Sequence, residues 1–215
     1  MADTRGGVEL YHCDGARSFR VLWMLEELGI EYRLHMLPFP PRFRAPHYLE
    51  VNPLGTIPFM IAGDARMSES SAIVQYLADR NPAAGLSIAP SDPAYADYLN
   101  FLHMGEATLT FPQTLYLRYT FLEPEDRRNP QVAADYRRWF LKRLEVAMGM
   151  MGGREYVCGD RFTAADISVG YAIKFAQALG LGDDLMRSAT DYFERLAARP
   201  AYRRALAVER ENAVE

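Results

Sequence analysis

Three short stretches carry side chains that could do chemistry. In "YHCDGARSFR" (11–20), Tyr11, His12, Cys13, Arg17 and Ser18 crowd what reads as the end of a strand and the start of a helix. A cysteine is nucleophilic only as its thiolate, which needs a helix start or nearby positive charge. Cys13 ends the strand instead, so its default is a buried, inert thiol. Tyr11 and His12 alternate faces on that strand, so one turns toward the core and the other away. In "MSESS" (67–71), Glu69 and Ser70 open a helix, where exposed amides and the helix dipole favour an anion. The plainer role of such residues is capping. In "PPRFRAPHY" (40–48), Arg42, Arg44 and His47 are cations in an irregular segment, suited to a carboxylate. His103 and Glu106, three apart on a later helical pattern, read as a surface contact rather than an acid/base couple.

The elements that must position these groups follow two grammars. Up to about residue 80, short apolar runs alternate with helical patterns. "VELYH" (8–12), a helix near 17–28, "YRLHML" (32–37), "IPFMI" (57–61), "ARM" (65–67) and a helix near 69–80 make a β-α-β unit and then β-β-α. In the first helix, Val21, Leu22, Leu25 and Leu28 form one apolar stripe, with Arg20, Glu26 and Glu27 elsewhere and Gly29 placed to stop it. "AGD" (62–64) is a hairpin turn. Pro58 stands at the mouth of an apparently buried strand, where a residue without an N–H normally marks an edge or a bend.

From "NPAAGLSIAPSDPAY" (81–95) the pattern changes, and beyond it only helical periodicity appears, over about 94–120, 131–151, 164–178, 188–198 and 200–210. The expected division is a β/α domain over 1–82, a linker over 83–93 and an all-helical domain over 94–215. "EPEDRRNP" (123–130) reads as a solvated turn. "FTAADI" offers Thr163 and Asp166 as a capping box, so Asp166 is assigned to folding rather than chemistry. Cys158, Trp23 and Trp139 read as packing.

With 215 residues the chain can bury roughly 70% of its unfolded surface, enough for a core without metal or disulfides. A net charge of −4 argues against a nucleic-acid footprint. Two isolated cysteines make neither a disulfide framework nor a zinc site and fit a reducing cytoplasm. No apolar run is long enough to span a membrane, and the first residues lack the apolar stretch of an export signal.

The order of "SFRVLWMLEELGIEY", "NPLGTIPFMI", "MSESSAIVQYL", "FLHMGEATLTFP" and "GDRFTAADISV" resembles a bacterial-type cytosolic glutathione transferase over essentially the whole chain. The resemblance implies an α+β two-domain fold, a thioredoxin-like βαβ-ββα domain followed by an all-α helical bundle. It implies a cis Ile57–Pro58 bond that lets the backbone of Ile57 pair with the cysteinyl unit of glutathione. It further implies that Glu69 and Ser70 read the γ-glutamyl zwitterion, and that Arg42, Arg44 and His47 are candidates for the glycine carboxylate. The thiol would be held as a thiolate where the first helix begins, then attack a small, largely apolar electrophile in a cleft between domains. His103, Met104, Ala107, Phe111, Tyr116 and Tyr119 are the candidates to line that second-substrate pocket. A cytoplasmic two-fold homodimer, with no metal, is implied as well.

One departure stands out. At positions 15 and 16, where family members carry an activating Ser or Cys, the chain has Gly15 and Ala16. Ser18 is the nearest hydroxyl and the first candidate for thiolate donor, with Cys13, Tyr11, Arg17 and the backbone amides of 16–18 as alternatives. Glutathione-dependent isomerisation or dehalogenation, and a binding protein of the same fold without turnover, are the competing functions.

Overall fold

The computed structural model describes residues 7–214; residues 1–6 and 215, the outer ends of the two expected domains, lie outside the described residues. The chain divides into two compact units. One takes the described residues up to Ser87 together with those from Ala197 on, and the other spans Ile88–Leu196.

The first unit contains β1 (Val8–His12), α1 (Phe19–Leu28), β2 (Tyr32–Met36), the short helices α2 (Pro41–Arg44) and α3 (Tyr48–Val51), β3 (Phe59–Ala62), β4 (Ala65–Met67) and α4 (Ser70–Arg80). The sheet order is β2-β1-β3-β4. β1 runs parallel to β2 and antiparallel to β3, with Tyr11 opposite Phe59, and β4 returns antiparallel with Met67 opposite Met60. The element succession is the β-α-β then β-β-α that the alternating patterns predict, and the sheet is the thioredoxin-like one that the resemblance implies. The strand at "IPFMI" begins two residues later than expected, leaving Ile57 and Pro58 ahead of the ladder as a bend. Along β1, Val8, Leu10 and His12 are buried and Glu9 and Tyr11 less so, the period of a sheet with one core face.

α1 departs from the amphipathic reading. Phe19 through Leu25 are all buried, Arg20 included, while Leu28 is only half-buried. The reason is that α1 is covered on several sides, by β1, by α4 and by a tenth helix, α10 (Pro200–Glu211). α10 belongs to this unit rather than to the helical one with which the sequence reading grouped it. Its Tyr202 ring meets the edge of Trp23 at 4.9 Å and of Phe19 at 5.5 Å. The Arg199 guanidinium forks onto the Glu27 carboxylate at 2.7 and 2.8 Å, and Arg204 Nε donates to Glu26 at 2.8 Å. The aromatic burial dominates this attachment, and the partly exposed ion pairs add at most about 1 kcal/mol each.

The second unit is helical: α5 (Tyr95–Met104), α6 (Phe111–Leu117), α7 (Pro130–Met151), α8 (Ala164–Ala178) and α9 (Arg187–Ala197). The single helix expected over 94–120 is instead α5 and α6 joined and followed by wide π turns at Gly105–Thr110 and Arg118–Leu122. Pro112, near the start of α6, supplies no N–H and its ring excludes the carbonyl four residues back, which the first wide turn accommodates. Gly105 sits so close to α8 that a Cβ there would lie 2.3 Å from Ser168 Oγ. The Ser168 hydroxyl donates to the Leu102 carbonyl at 2.7 Å, sealing that crossing.

The capping box forms as expected: Asp166 accepts the Thr163 N–H at 2.8 Å, and it also accepts the Val157 N–H at 2.9 Å and the Tyr192 hydroxyl at 2.8 Å. Trp139 is not core packing. It is 46% exposed on α7, with the Arg143 guanidinium 3.8 Å above its ring.

Candidate functional site

The sheet register brings the first unit's candidate residues to one end. Tyr11 faces Phe59, so the next step along each strand sets His12 level with Pro58. Met60 faces Met67, and continuing that ladder sets Pro58 level with Glu69. The Ile57–Pro58 bond is cis, as expected, and Phe39–Pro40 is a second cis bond that the sequence reading did not anticipate. Pro58 is buried and Ile57 half-buried.

Between β1 and α1 the chain makes a tight turn. The Ala16 N–H donates to the Cys13 carbonyl at 3.1 Å, and Gly15 adopts φ +65°, a left-handed value that other side chains resist. The Gly15 N–H donates to Glu209 Oε1 at 3.0 Å, from α10. Of the three amides considered for the thiolate, that of Ala16 is therefore committed within the turn.

Ser18, the first candidate for thiolate donor, lies against β1. It precedes α1, is fully buried, and its Oγ lies 2.6 Å from His12 Nδ1 and 3.4 Å from the Cys13 amide that donates to it. That hydroxyl is enclosed and engaged by His12 and Cys13. Its sequence position at a helix start was correct, but which way the side chain turns was not legible.

Cys13 is fully buried, and burial, with Asp14 adding to it, pushes its thiol up to about 12. It is protonated at neutral pH and poorly suited to nucleophilic work. Tyr11 stacks on His35 at 4.4 Å and packs near Tyr48 and Phe59. Burial raises its phenol above the usual range, helped by Glu9 and opposed by Arg33, so it is a neutral hydroxyl at neutral pH. His12, not Tyr11, takes the core side of β1. Arg17 is half-buried within the turn.

At the head of α4, Ser70 is buried and its Oγ accepts from Arg20 Nη1 at 3.1 Å. Glu69 precedes it in extended conformation, exposed, and its carboxylate caps no amide of the helix. Arg20 was missed because the stripe reading only set it off the apolar face. The signal was there: an arginine inside the run Phe19, Val21, Leu22, Trp23, Met24 and Leu25 sits in a helix apolar on every side. Glu209 carried no comparable signal. Arg42 and Arg44 lie exposed on α2 and His47 exposed before α3, with the Arg42 guanidinium 5.8 Å from the Phe43 ring centre. No side chain gathers these three cations into one pocket.

In the second unit, a cavity of about 380 Å³ is lined by Leu99, Asn100, His103, Met104, Ala107 and Thr108. Three of the six second-substrate candidates, His103, Met104 and Ala107, therefore share it. Phe111 is exposed, and Tyr116 and Tyr119 are half-buried outside it, Tyr116 meeting the edge of Phe121 at 6.2 Å. Among the described residues, no three His, Cys, Asp or Glu side chains gather as a metal site requires, and no helix is long and apolar enough to cross a membrane.

Comparison with known proteins points one way. The family model for the glutathione S-transferase N-terminal domain matches residues 16–80. Glutathione S-transferase GstA of Escherichia coli O157:H7 is 28% identical, over 94% of this chain and 98% of that protein. Glutathione S-transferase 3 of Schizosaccharomyces pombe is 26% identical, over 91% and 85%. Among solved structures, a glutathione transferase from Methylococcus capsulatus superposes with a TM-score of 0.83 at 24% identity, covering 94% of this chain and 98% of that one. A sphingomonad glutathione S-transferase complexed with glutathione gives 0.79 at 23%, covering 94% and 98%.

Proposed function

We propose that the chain, similar over nearly its whole length to cytosolic glutathione transferases, is a member of that superfamily that binds glutathione and activates the thiol as a thiolate for attack on a small, largely apolar electrophile. One observation carries the binding half. The head of α4 opens at the same end of the sheet as Pro58 and the turn into α1, with two side chains suited to a zwitterion. Ser70 Oγ already accepts from Arg20, so its own proton is left to donate to a carboxylate. The Glu69 carboxylate, exposed and capping nothing, is suited to accept from an α-amine. Helix-terminal amides add to the anion's stabilisation. The Ile57 backbone would pair with the cysteinyl unit, and Arg42, Arg44 or His47 would meet the glycine carboxylate from solvent.

For the thiolate, the reading assigns the N-terminal end of α1, its amides and dipole together, a helix with no acidic residue in its first turn. Preorganised amides aimed at a developing anion cost no rearrangement when the charge forms. The cavity beside His103, Met104 and Ala107 is the candidate site for the electrophile. By the same reading the protein works in the cytoplasm as a homodimer.

A second reading is favoured by a specific observation. Positions 15 and 16 hold Gly15 and Ala16 rather than a hydroxyl or thiol, and the Ser18 hydroxyl is enclosed, as in a protein that holds glutathione without turning it over. Calorimetric titration with glutathione, with thiolate ultraviolet absorbance followed across neutral pH, separates the two. Binding with a bound thiol ionised well below its free pKa supports the transferase. Binding with the thiol still protonated supports the holder, and no binding refutes both.

A further inference from the structure

The carboxylate of Glu209 is 2% exposed, a costly place for a charge unless its bonds are good. Those bonds run to the turn between β1 and α1. Oε1 accepts the Gly15 N–H at 3.0 Å and lies 3.2 Å from His12 Nε2, and the other nitrogen of that ring lies 2.6 Å from Ser18 Oγ. The strand end, the left-handed Gly15 and the residue that opens α1 are thus joined to α10 through one oxygen atom.

α10 does not need this carboxylate to stay docked. Tyr202 is packed against Trp23 and Phe19, and Arg199 and Arg204 are bound to Glu27 and Glu26, all toward the other end of the helix. The turn's own restraints are local: the Ala16 N–H donates to the Cys13 carbonyl at 3.1 Å, the Phe19 N–H to the Ala16 carbonyl at 2.9 Å, and the Cys13 amide makes a long 3.4 Å contact with Ser18.

We infer that Glu209 is a positioning residue for the thiolate, pinning Gly15 so that the turn presents the first amides of α1 in a single geometry. The inference rests on the proposed use of those amides. It concerns reach rather than charge, because a negative group near a thiolate opposes its formation. Reach and charge therefore predict opposite outcomes.

The test uses full-length protein and glutathione, reading the pKa of the bound thiol by ultraviolet titration and the affinity by calorimetry. Glu209→Gln keeps a side-chain oxygen for the Gly15 N–H and removes the charge; it is expected to leave the thiol pKa at the wild-type value or slightly below. Glu209→Asp keeps the charge and withdraws the oxygen by one methylene; it is expected to raise the pKa by about one unit, tenfold less thiolate below that pKa. Gln and Asp both matching the wild type, with only the melting temperature lowered, would overturn the inference, as would the reverse order of the two variants. Failure of the wild type itself to bind glutathione would instead refute the underlying reading, and this inference with it.

Discussion

Replacing Ser18 by Ala separates a structural hydroxyl from a catalytic one. In the folded chain Ser18 Oγ is the partner of His12 Nδ1 at 2.6 Å and accepts, weakly, from the Cys13 amide at 3.4 Å. His12 and Ser18 are both fully buried, so removing the hydroxyl leaves a ring nitrogen enclosed with no water to replace it. An unsatisfied buried polar group costs about 1–3 kcal/mol, and the small cavity left by the oxygen adds little. For a chain of this size each kcal/mol lowers the melting temperature by roughly 2–4 °C, so a drop of about 4–8 °C is expected in a thermal melt. The anchor from Gly15 to Glu209 survives the change, and bound glutathione should keep its thiol pKa within about half a unit, under 1 kcal/mol. An unchanged melting temperature with a bound-thiol pKa raised by a unit or more would refute this account and return Ser18 to the role of thiolate donor.

Further outcomes are expected at other positions. Ser70→Ala should weaken glutathione binding by about tenfold or more in calorimetry, since a hydrogen bond to a charged group is worth about 1.5–3 kcal/mol; unchanged affinity would remove Ser70 from the site. Cys13 and Cys158, both buried and both pushed up to about 12, should carry roughly one thiolate in 10⁵ molecules at pH 7, so native protein treated with iodoacetamide should show no adduct on either by mass spectrometry within an hour. Prompt labelling of Cys13 would revive it as a nucleophile. Asp166→Asn turns one of its acceptor oxygens into a donor facing other donors, so it should lower stability by about 2–4 kcal/mol in denaturant unfolding while glutathione affinity stays constant. Trp139, Val146 and Met150 stand exposed along α7, so light scattering should give about twice 24.4 kDa, and Val146→Glu should shift it toward the monomer.

What the sequence made legible was whatever rests on local rules. Strand alternation, the capping box at Thr163 and Asp166, the stop at Gly29 and the bend at Pro58 all depend on a few neighbours, and the structure has them where the pattern put them. The failures share a different cause. Ser18 was expected in the first turn of a helix near 17–28 and instead stands just ahead of α1, and its orientation depends on His12, which sits on another element. Arg20 was left off the apolar stripe because a stripe counts only one helix face, and nothing local says that α4 and α10 cover the others. Arg42 and Arg44 stand exposed on the short helix α2 and His47 exposed ahead of α3, and spacing along the chain does not say which of them faces a carboxylate. Glu209 lies almost two hundred positions from its partner Gly15, beyond the reach of any window along the chain.

The membership of α10 in the sheet unit also bears on how the molecule comes to exist. While the ribosome has delivered only the first 87 residues, Trp23 and Phe19 have no Tyr202 to cover them, and the bend ahead of α1 lacks the acid that holds it. The helical unit, contiguous in the chain, can fold as it emerges, whereas the sheet unit can mature only after its neighbour has been synthesised. A nascent chain stalled before residue 197 would expose an aromatic face to chaperones, and a gene fragment cut at the linker would inherit the same defect.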